Sequence, residues 1–423
     1  MAEIKAFKAL RFTDKAGNIK DNICPPYDII SEEERRALIE KSENNVIRLE
    51  LPKGDNPYAQ ASDVLNSWLE KGILACDKED SLYVYEEQFE CEGKRYKIHG
   101  LICLVRLEEF SKGIVLPHEE TLSKAKEDRF NLMSATFCNF SQVYSMYVDE
   151  DRKIASEIDK ILDKKPEVVT TTPDGICHSL WAETDKSVIE SIVKGFDGKQ
   201  LYIADGHHRY ETALNFRNHM REEGLIGKGD ENGNYVMMFL ADIDDDGLVI
   251  LPTHRMVKDI ENYNEKEVLA QIEKDFDVEW IDTLDGMMKR LDESKNRAYA
   301  YYTGKNGYYL CTLRDESKTR KMHPDRSPAY AELDVTGLHT HILEPVFKID
   351  KENMASQKNL VYTRSLEEAI DKVRCGEFQC SFILRSTKMR QIKDVACAGD
   401  KMPQKSTYFY PKLITGLVMN KFR

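Results

Sequence analysis

Residues 201–216 read LYIADGHHRYETALNF, and positions 205–209 set an aspartate, a glycine, two histidines and an arginine side by side. The apolar run Leu201 to Ala204 ends at Asp205–Gly206, and a helical pattern with Ala213, Leu214 and Phe216 follows. The pattern predicts a strand, a tight turn and a helix start. Such a junction points backbone N–H groups outward at the positive end of a helix dipole. Arg209 adds a guanidinium fork suited to phosphate or carboxylate. Either His207 or His208 could donate to a phosphate oxygen or carry a proton, and spacing does not choose between them. Glu211, four residues beyond His207, is spaced to orient that ring. Gly206, His207, His208 and Arg209 are therefore the expected phosphate-binding group.

Three further places carry chemistry. His118 and Glu119 follow Pro117, with Glu120 behind them; 118–122 is HEETL, so the HExxH zinc pattern is absent. Magnesium, bound mainly through phosphate and a carboxylate such as Asp205 or Glu119, suits this acid content better. Thr253–His254–Arg255 closes a predicted strand, where open α/β folds place ligands. Asp28 follows Pro25–Pro26 and competes with Ser31 to cap the next helix. Asp242, Asp244, Asp246 and Gly247 imitate a calcium loop, but position twelve would be Thr253 and strands flank it, so it reads as a hairpin turn. Neither GxxxxGK[ST] nor a GxGxxG after a strand occurs. Tyr408 and Tyr410 read as strand packing, with Lys412 at the exit.

The elements that must position these residues follow from periodicity. Residues 44–52 read as a strand, and 58–71 as a helix with Ala61, Val64, Leu65, Trp68 and Leu69 on one side. Residues 81–90 and 95–107 read as a hairpin about Glu92–Gly93. The second half of 114–136 is a charged helix; 143–148 is a strand, 151–163 a helix, and 188–192 helical. Residues 224–234 read as a loop, YVMMFLADI as a buried strand and LVILP as its return. Helix, strand and helix follow over 259–294, then a hairpin of 299–302 with 308–313, a strand FQCSFILR and a helix about Val395. A boundary near residue 258 divides the chain into 1–258 and 259–423.

At 423 residues, 41% hydrophobic and 32% charged, the chain is a wetted globular protein of more than one core. The net charge of −13 and the shortness of basic runs such as Lys318 to Lys321 argue against nucleic acid as partner. A small phosphate or nucleotide remains a suitable partner, and the acidic surface leaves room for a homo-oligomeric interface. No segment approaches eighteen consecutive apolar residues, so no membrane partner is expected. The ten cysteines include no CxxC pair and the first residues lack a leader-like apolar stretch; reduced thiols and a cytoplasmic setting are the expectation.

Five blocks, CPPYDIIS at 24–31, LPHEETLSKAKEDR at 116–129, ADGHHRYETAL at 204–214, LPTHR at 251–255 and PQKSTYFYPKLITGLV at 403–418, together resemble the bacterial and archaeal family catalogued as domain of unknown function 1015. More distantly, the strand–GHHR–helix turn is similar to the phosphate-binding turn of the ParB/sulfiredoxin superfamily. That superfamily holds chromosome-partitioning nucleotide hydrolases, an ATP-using enzyme that repairs oxidised peroxiredoxins, and kinases of free serine. Only Gly206 to Arg209 and the flanking strand and helix carry over. His207 stands where the sulfiredoxin pattern has cysteine, which removes sulfinic-acid reduction, and DNA-reading helices with a basic surface are missing.

The resemblance implies a mixed α/β (α+β) fold: a ParB/sulfiredoxin-like core with large insertions over 1–258, binding an anion or nucleotide, plus a C-terminal α+β domain over 259–423. The expected function is an ATP- or ADP-dependent phosphotransferase acting on a small polar metabolite, hydroxy amino acids included. Arg209 and the N–H groups after Gly206 would bind the terminal phosphates, and His207 or His208 would donate to a non-bridging oxygen. Asp28 or Glu119 would accept the substrate proton, Asp205 or Glu119 would carry Mg2+, and His118, His254 and Arg255 would hold the substrate. A phosphohydrolase using the same groups, or a nucleotide-responsive binding protein without catalysis, are the alternatives.

Overall fold

The computed structural model describes residues 1–119, 121, 123–227 and 232–423; Glu120 and the centre of the 224–234 loop lie outside them. It shows a mixed α/β fold in two compact units. The first unit comprises Met1–Pro117, Thr121–Val249 and Pro411–Arg423, and the second comprises Ile250–Tyr410 with His118 and Glu119.

The first unit is built on a nine-stranded mixed sheet. Its strands are β1 Ile4–Lys5, β2 Leu82–Cys91, β3 Lys94–Arg106, β4 Val115–Leu116, β5 Val143–Tyr147, β6 Val168–Thr171, β7 Cys177–Glu183, β8 Leu201–Asp205 and β9 Tyr235–Asp242. They lie in the order β4-β8-β5-β9-β3-β2-β7-β6, and β1 pairs with β3. The β2–β3 hairpin turns at Glu92 and Gly93, with φ of 51° and 72°, the left-handed pair that matches strand twist. β9 has neighbours on both edges, parallel β5 and antiparallel β3, which is why its sequence is a continuous apolar run.

Helices cover this sheet. Here α1 is Ile47–Glu50, α2 Pro57–Glu70, α3 Ser123–Thr136, α4 Lys153–Leu162, α5 Lys186–Gly195 and α6 His207–Glu222. α4 buries Ile154, Ala155, Ile158 and Ile161 along one stripe. α6 buries Tyr210, Ala213, Leu214, Phe216 and Met220, each large aliphatic or aromatic group stabilising by about 1.5–3 kcal/mol. The Tyr210 hydroxyl donates to the Glu108 carbonyl at 2.7 Å and accepts from the Glu108 N–H at 3.0 Å. Phe130 of α3 meets the Phe216 ring edge-on at 5.8 Å, so the helix carrying the histidine–arginine turn is clamped on two sides.

The second unit has a six-stranded antiparallel sheet. Its strands are β10 His254–Val257, β11 Phe276–Ile281, β12 Ala298–Tyr302, β13 Tyr308–Leu313, β14 Leu360–Thr363 and β15 Cys380–Ile383, in the order β11-β13-β12-β15-β10-β14. Met256, Met287, Leu291, Ala300, Ile370 and Ile383 belong to its core.

Several sequence expectations are corrected here. Residues 44–52 are not a strand: Asn45 Oδ1 accepts from the Ile47 N–H at 2.9 Å, and Asn45 Nδ2 donates to the Asp21 and Ile23 carbonyls. A side chain that takes over local backbone bonding releases the chain from a ladder, and α1 forms instead. The LVILP segment contributes only Val249–Ile250 as a strand, and β10 begins at His254 rather than ending there. Ser31, not Asp28, caps the helix Glu32–Lys41, in a capping box with Glu34. None of the ten cysteines is in a disulfide, and among the described residues no helix is long and apolar enough to cross a membrane.

Candidate functional site

β8 runs into the turn through an irregularity. Its register on β5 shifts between Ile203 and Asp205, so that Ala204 is the extra residue and Asp205 is re-aimed. Gly206 then adopts φ 87° and ψ 28° as the N-cap of α6, a left-handed conformation that costs an L side chain about 1–2 kcal/mol. A Cβ at this position would lie 2.9 Å from Arg209 Nε. The glycine thus serves both the backbone turn and the seat of the guanidinium.

Arg209 is fixed from two directions. Nη2 donates to Asp205 Oδ2 at 2.5 Å, and Nη1 donates to the Gln142 carbonyl. The other oxygen of Asp205 accepts from Lys412 Nζ. Burial alone would raise the Asp205 pKa; Lys412 and Arg209 outweigh it and hold the carboxylate well below its usual range. Burial likewise opposes the Arg209 charge, and Asp205, Asp28, Tyr27 and Glu50 overcome it, lifting its pKa. One carboxylate thus keeps two cations in place at the opening of a sixteen-residue helix.

A cleft adjoins this group, lined among others by Glu50, Arg129, Ser141, Arg209 and Thr212. Glu50 is only 2% exposed. Its Oε1 accepts from Ser141 Oγ at 2.7 Å, with Arg129 Nη1 3.9 Å away. Burial raises its pKa, against the pull of Arg129, Ser141 and Arg209. Arg129 in turn lies over the Tyr27 ring, 4.2 Å from its centroid. Asp28, on the adjoining 3-10 turn Tyr27–Ile29, is exposed, and its charge acts on both Arg209 and Glu50.

The first unit therefore brings together Asp28, Asp205, Gly206 and Arg209 from the sequence reading and adds Glu50, Arg129 and Lys412. His207 is buried and acts electrostatically on Asp205, whereas His208 is half-buried. The Glu211 carboxylate accepts from Lys126 Nζ at 2.8 Å and from Thr121 Oγ1 at 2.6 Å, which ties α6 to the 121–126 segment. Lys412 follows the short strand Phe409–Tyr410, as its place after the aromatic run implies, and is also the second cation on Asp205. Glu50 was hidden inside the mistaken 44–52 strand, where an alternating pattern gives no hint of a buried acid.

His118, Glu119, His254 and Arg255 lie in the second unit, gathered on the 402–407 segment. His118 Nε2 bonds Thr407 Oγ1 at 3.1 Å, and the Met402 N–H donates to the His118 carbonyl at 2.7 Å. The Lys405 N–H donates to Glu119 Oε1 at 3.3 Å, and the Lys405 carbonyl accepts from Arg255 Nη2 at 3.2 Å. Lys405 itself has φ 57°, a strained position for a non-glycine residue. His254 Nδ1 accepts from the Leu384 N–H at 3.2 Å. Burial first, then Arg255, push its pKa down to about 4, so the ring is neutral at pH 7 and offers no charge to an anion. Tyr408 lies under Arg364, 3.9 Å from ring centroid to guanidinium carbon, so that face is taken.

Among the described residues no group of three or more His, Cys, Asp or Glu side chains could hold a metal ion. Both oxygens of Asp205 already face cations, a poor setting for a Mg2+ ligand, and no step below runs through a metal.

Solved structures give loose likenesses. A conserved hypothetical protein from Pyrococcus furiosus aligns at 13% identity over 70% of this chain and 87% of its own, with a TM-score of 0.33. A free serine kinase in complex with AMP aligns at 12% over 74% of this chain and 89% of its own, TM-score 0.35. SbnI with a C-terminal truncation, from Staphylococcus aureus, aligns at 10% over 76% and 87%, TM-score 0.35. No curated protein matches the sequence significantly. The sequence blocks that frame the Asp205–Arg209 turn do have a family: matching over residues 4–336, the chain belongs to the family described as protein of unknown function DUF1015.

Proposed function

We propose that the protein is an ATP- or ADP-dependent phosphotransferase whose acceptor is a small polar metabolite, hydroxy amino acids included. The observation that carries this reading is the pairing of Arg209 and Lys412 on Asp205 at the start of α6, beside a cleft that holds the buried Glu50. Phosphoryl transfer is chiefly a matter of alignment and of neutralising charge on the non-bridging oxygens. Arg209 and the first-turn N–H groups hold the terminal phosphate, and Lys412 adds a second positive charge. His207 or His208 donates to a non-bridging oxygen as transfer proceeds. The acceptor oxygen bonds the terminal phosphorus while the phosphorus–bridging-oxygen bond breaks, and the hydroxyl proton passes to Asp28. In the second unit His254, being neutral and occupied by the Leu384 N–H, supports the Arg255 strand.

The test is to incubate purified protein with ATP, ADP or CTP as magnesium salts and a pool of cellular metabolites, and to follow both sets of masses. Loss of a phosphoryl group from nucleotide matched by its gain on a metabolite, absent in Arg209→Ala, is the expected outcome. Asp28→Asn then tests the proton acceptor. Phosphate released without any acceptor would instead mark a phosphohydrolase. Intact nucleotide with an Arg209-dependent melting shift would mark a binding protein.

A further inference from the structure

Four arginines of the described chain are buried, with exposures of 6% (Arg129), 4% (Arg217), 1% (Arg255) and 4% (Arg297). Three of them have a carboxylate. Arg129 bonds Asp128 at 2.5 Å, Arg217 bonds Glu109 at 2.7 Å, and Arg297 Nε bonds Glu316 Oε2 at 2.5 Å. Arg255 is the most buried and has none. Its Nη groups donate to the Thr253 and Lys405 carbonyls, its plane lies 5.3 Å from the Tyr362 ring centroid, and Nε has no hydrogen-bond partner. Burial lowers its pKa to about 10, so it keeps its charge at pH 7. The groups that steady that charge are the tyrosines Tyr362 and Tyr299, neither of them anionic at neutral pH.

Two polar atoms in its surroundings are unpartnered as well. The Tyr362 hydroxyl and His339 Nε2 are buried without partners. Burial, and then Arg255, push the His339 pKa down to about 3, so a neutral ring stands near the guanidinium. Arg255 lines a cleft whose other walls include the hydroxyls of Thr253, Ser386, Thr387 and Ser406 and the Gln391 amide. The two charged residues besides Arg255 cancel, because Arg385 Nε and Nη2 grip both oxygens of Asp334, at 2.9 and 3.0 Å. The cleft is left with one net positive charge. A buried charge without a partner costs several kcal/mol, so a fold that keeps one must recover that cost in another state. An arriving anion is the state that recovers it.

We infer that this cleft of the second unit is a binding site for the oxyanion group of a small ligand, a carboxylate or a phosphate, held by Arg255. The site does not rest on the phosphotransfer reading: its residues belong to the second unit alone. Binding is measured without turnover, so failure of that reading leaves the site testable.

Full-length protein is titrated with potassium phosphate and, separately, potassium malonate against potassium chloride at matched ionic strength, following the melting temperature. A saturable rise with one anion is expected, and which arm responds separates phosphate from carboxylate. Arg209→Ala is run in parallel, so that phosphate bound by the first unit is subtracted. Arg255→Met keeps the volume and removes the charge. It should melt at or above wild type without anion and bind about 10- to 100-fold more weakly. Should it fail to fold, Ser386→Asp supplies a carboxylate in the same cleft and should abolish the response. The inference is overturned if neither anion gives a saturable rise, or if the rise persists in Arg255→Met or Ser386→Asp.

Discussion

Asp205→Asn isolates the electrostatic core of the proposed phosphate site. The native carboxylate takes Arg209 on one oxygen at 2.5 Å and Lys412 on the other. An amide can accept from one of them but neutralises neither, leaving two adjacent cations of which the side chains are 11% and 9% exposed. At an effective dielectric near 20, opposite charges about 4 Å apart attract by about 4 kcal/mol. Removing one member of a buried pair costs about 3–5 kcal/mol net. At about 2–4 °C per kcal/mol for a unit of this size, the melting temperature should fall by on the order of 10 °C. Because the native pKa of Asp205 is depressed, its stabilisation is complete above the unfolded value of about 3.9 and is lost only as pH falls through the native one. The gap between wild type and variant should therefore stay level from about pH 5 to pH 8. Added inorganic phosphate should narrow it, because an oxyanion restores the missing negative charge. Calorimetry at three pH values, with and without phosphate, reads all of this. A gap below about 1 kcal/mol, the size of an exposed ion pair, or a phosphate response equal in both proteins would refute the reasoning.

Three other outcomes follow from the same site. Gly206→Ala forces a Cβ against Arg209 at a φ of 87°; a loss of about 1–2 kcal/mol on thermal unfolding and of the phosphate response is expected, and undiminished phosphate affinity would contradict it. Glu50 has a native pKa raised by burial, so its stabilisation is full below about pH 4.3 and is lost as pH rises through the raised value. In urea titrations from about pH 4 to pH 7, wild type should lose stability relative to Glu50→Gln, and a difference independent of pH would count against it. Truncation after Tyr410 removes Lys412, buried Leu413, Leu417 and Met419, and the pairing of Asn420–Lys421 with Cys138–Asn139. The first unit should then fail to fold, whereas Lys412→Met should fold with weakened phosphate binding; a truncated chain melting like the full one would show the tail to be dispensable.

Long periodic elements were legible in the sequence because their pattern follows from burial on one side. The β2–β3 hairpin, α2, α6, β9 and the β12–β13 hairpin all lie where alternation, helical spacing or turn residues put them. Short elements were not. Ile47–Glu50 carries strand-like alternation over four residues, and the deciding interaction is Asn45 reaching back to Asp21 and Ile23. Such contacts with residues more than twenty positions away have no local signature. The same holds for the Val249–Ile250 segment, whose apolar run is equally suited to pairing with β9 and to leaving it.

The site divides along the same line. Gly206 to Arg209 was legible because a glycine turn before a helix is a local device that selects residue types at fixed offsets. Lys412 is distant from Asp205 by 207 positions, and a lysine after an aromatic strand looks like any surface lysine. Charge balance is the sharper case. Arg129, Arg217, Arg255 and Arg297 are one letter in the sequence; the predicted strand end at Thr253–His254–Arg255 marked Arg255 as a ligand contact, but nothing adjacent to it shows that its charge lacks an anion. Asp128 beside Arg129 even makes that residue readable as paired, while Arg297 finds Glu316 only across the fold. Whether a buried cation already has its anion depends on every acid that the fold brings within reach, so the position that most needs a ligand becomes visible only when all partners are placed. For this chain that position is Arg255, which its predicted strand end marked as a substrate contact without showing that its buried charge is unbalanced.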